Sequence, residues 1–264
     1  MHANQGSEFK IPNTYTLQIQ SKATGLVYEL YVRLPKSYVK GERQYPLVLL
    51  NDTSYSIATA SGIVHLMERR DIEDVILVGI SYSIGDDPLI SRTRDYTPTY
   101  APKETNGHSL EAQKHSGKAK QYMHFIAEEV LPLLNKNYRI NNNKTVFVGH
   151  SFGGLLGANI LLNMPELFDH YILGSPSLYY DNKVTFRLED AYAKKHDSMK
   201  ANVYMFVGGE EKWMVDDMLE FDARLKSRKY KGLNIQSKVL DGLTHFSSFG
   251  VLLTLGLQQS LPRI

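Results

Sequence analysis

Thr145-Val-Phe-Val-Gly149-His150-Ser151-Phe152-Gly153-Gly154, followed by Leu155-Leu-Gly-Ala-Asn-Ile160-Leu-Leu162, is the stretch that decides how this 264-residue chain is read. It opens as a β-branched apolar run, the composition of a buried strand. It turns through Gly149-His150-Ser151-Phe152-Gly153, which fits the pattern G-x-S-x-G, and continues as an apolar helix. Strand, sharp turn and helix together form the context of a nucleophile elbow. Small residues at 149 and 153 are expected to let strand and helix approach closely while the serine backbone is strained. The plain alternative is a glycine-rich strand–helix turn with an ordinary serine; the flanking strand and helix patterns weigh against it.

Working outward from the elbow, residues 15–20 and 27–34 alternate apolar and polar around the Lys22-Ala-Thr-Gly25 turn, which predicts an antiparallel hairpin. Residues 47–52 and 75–80 are continuous apolar runs, as expected of strands covered on both faces, with a helix between them at about 57–70. Beyond the elbow, strands are predicted at 170–174, 203–207 and 235–240, and helices at about 215–229 and up to about 257. A further helix is predicted at about 121–131, ended or kinked by Pro132, with Asn141-Asn-Asn143 as a turn before the elbow strand. The class is α/β: a mostly parallel sheet of about eight strands with an antiparallel N-terminal hairpin and helices on both faces. Residues 1–13 read as a polar tail and 14–264 as one domain. Residues 81–117, rich in Gly, Pro, Asp and Asn, read as an irregular, lid-like insertion.

Composition narrows the function classes. A formal charge of +2 without a long basic run gives no footprint for nucleic acid or an anionic membrane. Cysteine is absent, which excludes disulfides, thiolate metal sites and a thiol nucleophile. No apolar run reaches the roughly 20 residues that span a bilayer. The first ten residues lack an apolar core, so no signal peptide is expected. The compartment stays open: a reducing cytoplasm is slightly favoured, and a periplasm fits if an upstream signal is removed.

A serine hydroxyl is a poor nucleophile at neutral pH and needs a base, which in turn needs an orienting group. In an open α/β sheet such groups come from loops at the carboxyl ends of strands. The order Ser, acid, His along the chain is that of the α/β-hydrolase fold. His245, after the last strand, is the candidate base. His2 lies in the tail, His65 and His124 in helices, and His108 and His115 in the insertion. His150 points off the elbow differently, His170 starts a strand and His196 lies in a polar helical stretch. The acid comes from Glu210, Glu211, Asp216 or Asp217; Glu211 is preferred, with Glu210 and Asp217 behind it, and a Ser–His pair is the fallback. The oxyanion hole is assigned to the backbone N–H of Phe152 and a second N–H from Thr53 or Ser54.

The chain from about 15 to 257 also resembles the putative-esterase, or esterase D-like, family of α/β-hydrolases. The matching segments are Tyr45-Pro-Leu-Val-Leu-Leu-Asn-Asp52, Val78-Gly-Ile80, Arg94-Asp-Tyr-Thr-Pro98, Gly149-His-Ser-Phe-Gly-Gly-Leu155, Ser175-Pro-Ser-Leu178, Val207-Gly-Gly-Glu-Glu211 and His245-Phe-Ser247. The siderophore-esterase branch is nearest in flavour. The resemblance implies a serine esterase acting on a small-molecule ester through an acyl-enzyme, without metal or organic cofactor, and puts the acid at Glu211. The chain departs from the family pattern at Asp52-Thr53, where Asp-Gly is usual, and at Tyr179-Tyr180, where tryptophan is common. Arg92 and Arg94 are candidates for binding an anionic substrate, with an internal pair between Arg94 and Asp95 as the competing role. Tyr96, Tyr100, Tyr179, Tyr180 and Trp213 are candidate aromatic walls. An acyltransferase or a thioesterase on the same fold, or a non-catalytic binding protein, are the rival readings.

Overall fold

Residues that alternate between the two faces of a strand sort the core into two layers, and that sorting sets the architecture. The computed structural model describes residues 9–39, 41–104, 106 and 109–263. Its strands are β1 (Thr14–Gln20), β2 (Val27–Arg33), β3 (Tyr45–Leu50), β4 (Ile76–Ile80), β5 (Ile140–His150), β6 (His170–Gly174), β7 (Ser198–Gly208) and β8 (Lys231–Leu240). They form one sheet in the order β1-β2-β4-β3-β5-β6-β7-β8. β1 and β2 are antiparallel to each other, β2 is antiparallel to β4, and every pairing from β4 to β8 is parallel. This is the expected mostly parallel sheet with its antiparallel N-terminal hairpin.

The helices are α1 (Ser56–Met67), α2 (Pro88–Tyr96), α3 (Leu110–Gln113), α4 (Ala119–Phe125), α5 (Leu131–Asn137), α6 (Phe152–Asn163), α7 (Tyr180–Ala193), α8 (Trp213–Arg228) and α9 (Ser248–Ser260). Leu47, Leu49, Ile76, Val78 and Phe147 point to one face, where α4, α6, α7 and α8 cover them. Val48, Leu50, Leu77, Val146 and Val148 point to the other, under α1 and α9. Period-2 alternation thus gives central strands apolar on both sides. α6 is apolar all round, and Phe152 through Leu162 are all buried between the sheet and its neighbours. Among the described residues no helix is long and apolar enough to cross a membrane.

The segment 81–117 differs from the irregular insertion expected of it. Asp87 caps α2 by accepting from the Leu89 and Ile90 N–H groups at 2.9 and 3.2 Å, and Pro88 is pre-set for the first turn. The helix escapes apolar periodicity because most of the residues it buries are polar: Ser91, Thr93 and Asp95 are buried along with Tyr96. Residues 141–143 are not a turn but lie within the long strand β5. The break expected at Pro132 is displaced upstream, to a π-turn at Ile126–Val130, and Pro132 follows it as the second residue of α5. His196 lies beyond the end of α7. Of the expected tail, residues 1–8 lie outside the described residues.

Candidate active site

The elbow forms where β5 ends at His150 and α6 begins at Phe152, with Ser151 at φ 59°, ψ −117°. A Cβ at Gly149 would lie 2.1 Å from the Gly153 carbonyl oxygen, so only glycine lets the helix fold back onto the strand. The second tight position is Gly154, not the expected Gly153. A Cβ at 154 would lie 2.9 Å from Pro176 Cα, whereas at 153 it would meet only the Asp52 carboxylate at 3.4 Å. Ser151 is 9% exposed, and its hydroxyl lies 3.5 Å from the Ser177 hydroxyl.

His245 follows β8, and its Nδ1 lies 2.5 Å from Glu211 Oε2; the imidazole is 27% exposed and the carboxylate 5%. Glu211 ends a 3₁₀ turn, Gly209–Glu211, that follows β7. Its other oxygen, Oε1, accepts from the Gly208 N–H at 2.7 Å and the Ser175 hydroxyl at 2.6 Å. Burial favours the neutral acid, but donation from His245, then Ser175 and Gly208, outweighs it and holds the Glu211 carboxyl below its ordinary value. Gly208 has no room for a side chain, since a Cβ would lie 2.4 Å from the Leu243 carbonyl oxygen. Among the four acid candidates, Glu211 alone meets the imidazole. Glu210 is exposed at the rim, Asp216 is exposed in the first turn of α8, and Asp217 pairs with Lys183 at 2.8 Å.

Ser151 and His245 line one cleft of about 910 Å³, together with Tyr55, Tyr82, Tyr179, Trp213, Phe246 and Phe249 among others. No hydrogen bond joins the Ser151 hydroxyl to the imidazole among the described residues; in enzymes without substrate such bonds are commonly long and tighten on binding. His150, set aside on sequence, belongs to the site: its ring centroid lies 4.5 Å from that of His245 and 5.7 Å from that of Phe249. Burial, reinforced by the neighbouring His245, pushes His150 down to about 3, so it is neutral at physiological pH.

The expected oxyanion residues surround the elbow differently. Phe152 N–H stands at the start of α6. Asp52 adopts φ 56°, and its carbonyl accepts from Tyr55 and Ser56 N–H. Among the described residues, nothing accepts from the N–H of Thr53 or Ser54. The Thr53 methyl turns down onto β4, and a Cβ at Gly79 would lie 2.6 Å from it.

Both arginines are held by carboxylate partners. Arg92 Nε donates to Asp52 Oδ1 at 2.8 Å, and its Nη2 to Asp52 Oδ2 at 3.3 Å and to the His150 carbonyl at 3.2 Å. Asp52 is 1% exposed and also accepts from the Tyr82 and Tyr55 hydroxyls at 2.7 and 3.3 Å. Arg92 therefore braces the underside of the elbow with its Nε and Nη2 groups, while its side chain also lines the cleft. Arg94 is paired with Asp86 at 2.6 Å and Asp95 at 2.8 Å and lies outside the cleft lining, so the internal pair is its role. Tyr96 is 1% exposed and packed in the core, where its hydroxyl oxygen lies 3.4 Å from Asp52 N. Tyr180 is likewise buried, and Tyr100 is exposed away from the cleft. Tyr179 and Trp213 do line it, edge to face at 4.7 Å. Sequence reasoning missed His150, Asp52, Tyr82, Ser175, Ser177 and Lys212. Position carried the usable signal: all but Lys212 stand at, or within two or three residues of, the carboxyl end of a strand.

A family model described as putative esterase matches residues 21–259. The ferri-bacillibactin esterase BesA of Bacillus subtilis is 27% identical, over 96% of this chain and 91% of that protein. A siderophore enterobactin esterase of Emericella nidulans is 29% identical, over 82% of this chain and 76% of that one. Among solved structures, the BES protein from Bacillus cereus superposes with a TM-score of 0.85 at 24% identity, covering 98% of both chains. An IroE-like serine hydrolase from Shewanella oneidensis superposes at 0.81 with 26% identity, covering 93% of this chain and 79% of that one.

Proposed function

The chain belongs to the putative-esterase family, a premise from which we propose that this carboxylic ester hydrolase is of siderophore-esterase type and works through Ser151, His245 and Glu211. The observation that carries the reading is the 2.5 Å bond from Glu211 to His245 across the cleft that holds the elbow serine. Glu211 accepts from Nδ1–H and so keeps Nε2 unprotonated. Nε2 takes the Ser151 proton as the serine oxygen adds to the ester carbonyl. The resulting oxyanion is held by the Phe152 N–H and by a second donor from Thr53 or Ser54, each worth about 2.7–4 kcal/mol in the transition state. Collapse breaks the acyl–oxygen bond, and the imidazolium delivers its proton to the leaving alkoxide. A water, deprotonated by the same nitrogen, then attacks the acyl-enzyme, and Ser151 recovers its proton as the acid leaves.

Substrate type is inferred from the relatives' activities and from the cleft wall. Tyr179, Trp213 and Phe246 present flat apolar surfaces suited to aryl groups. Lys212, exposed at the rim and without an ion partner among the described residues, is the cation best placed for an anionic substrate. The test is hydrolysis of a p-nitrophenyl ester series and of apo- and ferric-catecholate siderophore esters by wild type and Ser151→Ala, with fluorophosphonate labelling alongside. Ser151→Ala is expected to lose at least about 10⁴-fold in kcat/KM and all labelling. Unchanged turnover in that variant would overturn the mechanism. Turnover of simple esters with siderophore esters left intact would overturn the substrate assignment alone.

A further inference from the structure

β6 lies between the strand that delivers the nucleophile and the strand that delivers the acid. Gly174 pairs with His150 of β5 on one side and with Phe206 of β7 on the other. The turn that follows it, Ser175-Pro176-Ser177, therefore emerges midway between Ser151 and Glu211. It is hydrogen-bonded to both flanks. The Ser175 N–H donates to the Phe206 carbonyl at 2.6 Å, and the Ser177 N–H to the Ser151 carbonyl at 3.2 Å. Its side chains divide in the same way: the Ser175 hydroxyl donates to Glu211 Oε1 at 2.6 Å, while the Ser177 hydroxyl lies 3.5 Å from the Ser151 hydroxyl. Pro176 fills the space against Gly154 of the elbow helix.

The backbone of Ser175 makes the case sharper. It is fully buried and held at φ 38°, a conformation that glycine adopts without penalty and serine does not. Local strain of this kind is retained where the surrounding structure uses it. The side chain that glycine would lack is the one whose hydroxyl meets Glu211. Ser177, 1% exposed, has its hydroxyl turned from solvent to the reacting serine and to Tyr179.

We propose that the 175–177 turn is a clamp that fixes nucleophile and acid relative to one another, with Ser175 and Ser177 as positioning residues for the esterase reaction. Ser175 orients the Glu211 carboxylate so that its free oxygen faces His245. Ser177 restrains the Ser151 hydroxyl at the mouth of the cleft before substrate arrives. Neither exchanges a proton with substrate, and neither is needed to bind it. The inference rests on the Ser151–His245–Glu211 reading, so Ser151→Ala is carried in the same experiment.

The variants are Ser177→Ala, Ser175→Gly and the pair combined, measured by kcat and KM on a p-nitrophenyl ester and by the rate of fluorophosphonate labelling, with Tm for each. Ser175→Gly removes the hydroxyl while relieving the backbone, so its Tm is expected to be unchanged or higher. The clamp predicts a fall in kcat of about tenfold for each single change, as for loss of one hydrogen bond of about 1–1.5 kcal/mol. KM should stay within about twofold, and labelling should slow by the same factor as kcat. The combined variant should lose less than the product of the two, because both residues serve one geometry. Full kcat in both single variants, with Ser151→Ala inactive, overturns the clamp and leaves the triad standing. A raised KM at unchanged kcat also overturns it, since that marks a substrate-contacting role. Full activity in Ser151→Ala overturns the triad and the clamp with it.

Discussion

Arg92→Met separates a brace from a substrate ligand. The Arg92 side chain is 15% exposed and that of Asp52 is 2% exposed, so the pair is nearly out of water. Breaking a buried pair by removing one partner costs about 3–5 kcal/mol, because the remaining charge is stranded in a poor solvent. Tyr82 and Tyr55 still donate to Asp52 after the change, which places the loss at the low end, about 3 kcal/mol. For a chain of this size that is a fall in Tm of roughly 6–12 °C. The same substitution frees the His150 carbonyl, one residue before the nucleophile, so kcat is expected to fall about tenfold with KM little changed. Adding Asp52→Asn removes the stranded charge and should recover part of the stability. The assay is urea denaturation with steady-state kinetics on one neutral and one anionic ester. A loss below about 1 kcal/mol together with a raised KM confined to the anionic ester would refute the reasoning and return Arg92 to the substrate.

Glu211→Gln should leave the fold intact yet lower kcat by about 10⁴-fold, since an amide can hold the wrong imidazole tautomer; a loss under tenfold in kcat would point to a Ser–His pair. Gly149→Ala puts a methyl 2.1 Å from the Gly153 carbonyl oxygen, so fluorophosphonate labelling should vanish even in protein that remains soluble and folded by circular dichroism. Lys212→Gln should raise KM several-fold for an anionic ester and leave a neutral p-nitrophenyl ester unaffected, with the difference shrinking at high salt. Acid lability should follow from His150, whose folded value of about 3 lies below the ordinary 6.5. The unfolded chain then binds the extra proton, so the stabilisation is complete above pH 6.5 and is lost as pH falls below it, at up to about 1.4 kcal/mol per pH unit. Glu211, held below its ordinary 4.5, adds a loss of the same sign at lower pH. Urea midpoints of wild type and His150→Gln from pH 7 to 4 check this; parallel curves would count against it.

The sheet was legible because each central strand is apolar on both faces, a pattern that survives in sequence without any partner being known. The elbow was legible because steric crowding demands glycine at 149, and glycine leaves a visible mark. The helix α2 was not legible, because the face it buries carries Ser91, Thr93 and Asp95, and hydrogen bonding to distant groups leaves no periodic trace. The roles of Arg92 and Arg94 were opaque for a related reason. A charge facing a ligand and a charge facing Asp52 or Asp86 look alike until the fold supplies the partner. Glu211 is preferred over Glu210 in the sequence, and the 3₁₀ turn gives the physical reason: it turns the Glu211 carboxylate inward and leaves Glu210 exposed. His150 was not legible as a site residue because a residue beside the serine points off the elbow differently, and its packing on His245 joins residues 95 positions apart in the chain.

Four of the ten non-glycine residues with positive φ among the described residues stand beyond the carboxyl ends of central strands: Asp52 beyond β3, Ser151 beyond β5, Ser175 beyond β6 and Lys212 shortly beyond β7. Such conformations cost on the order of 1–3 kcal/mol each, so together they rival the about 5–15 kcal/mol by which a whole domain is usually stable. Positive φ also occurs at Asn13, Arg69, Asp181, Asn182, Lys183 and Lys229, but the four at this rim are the ones that surround the cleft. A search for heat-resistant variants would find part of its gains at that rim. Those gains would be drawn from the proposed active site, so screening by melting temperature alone would select sturdier proteins that turn over more slowly.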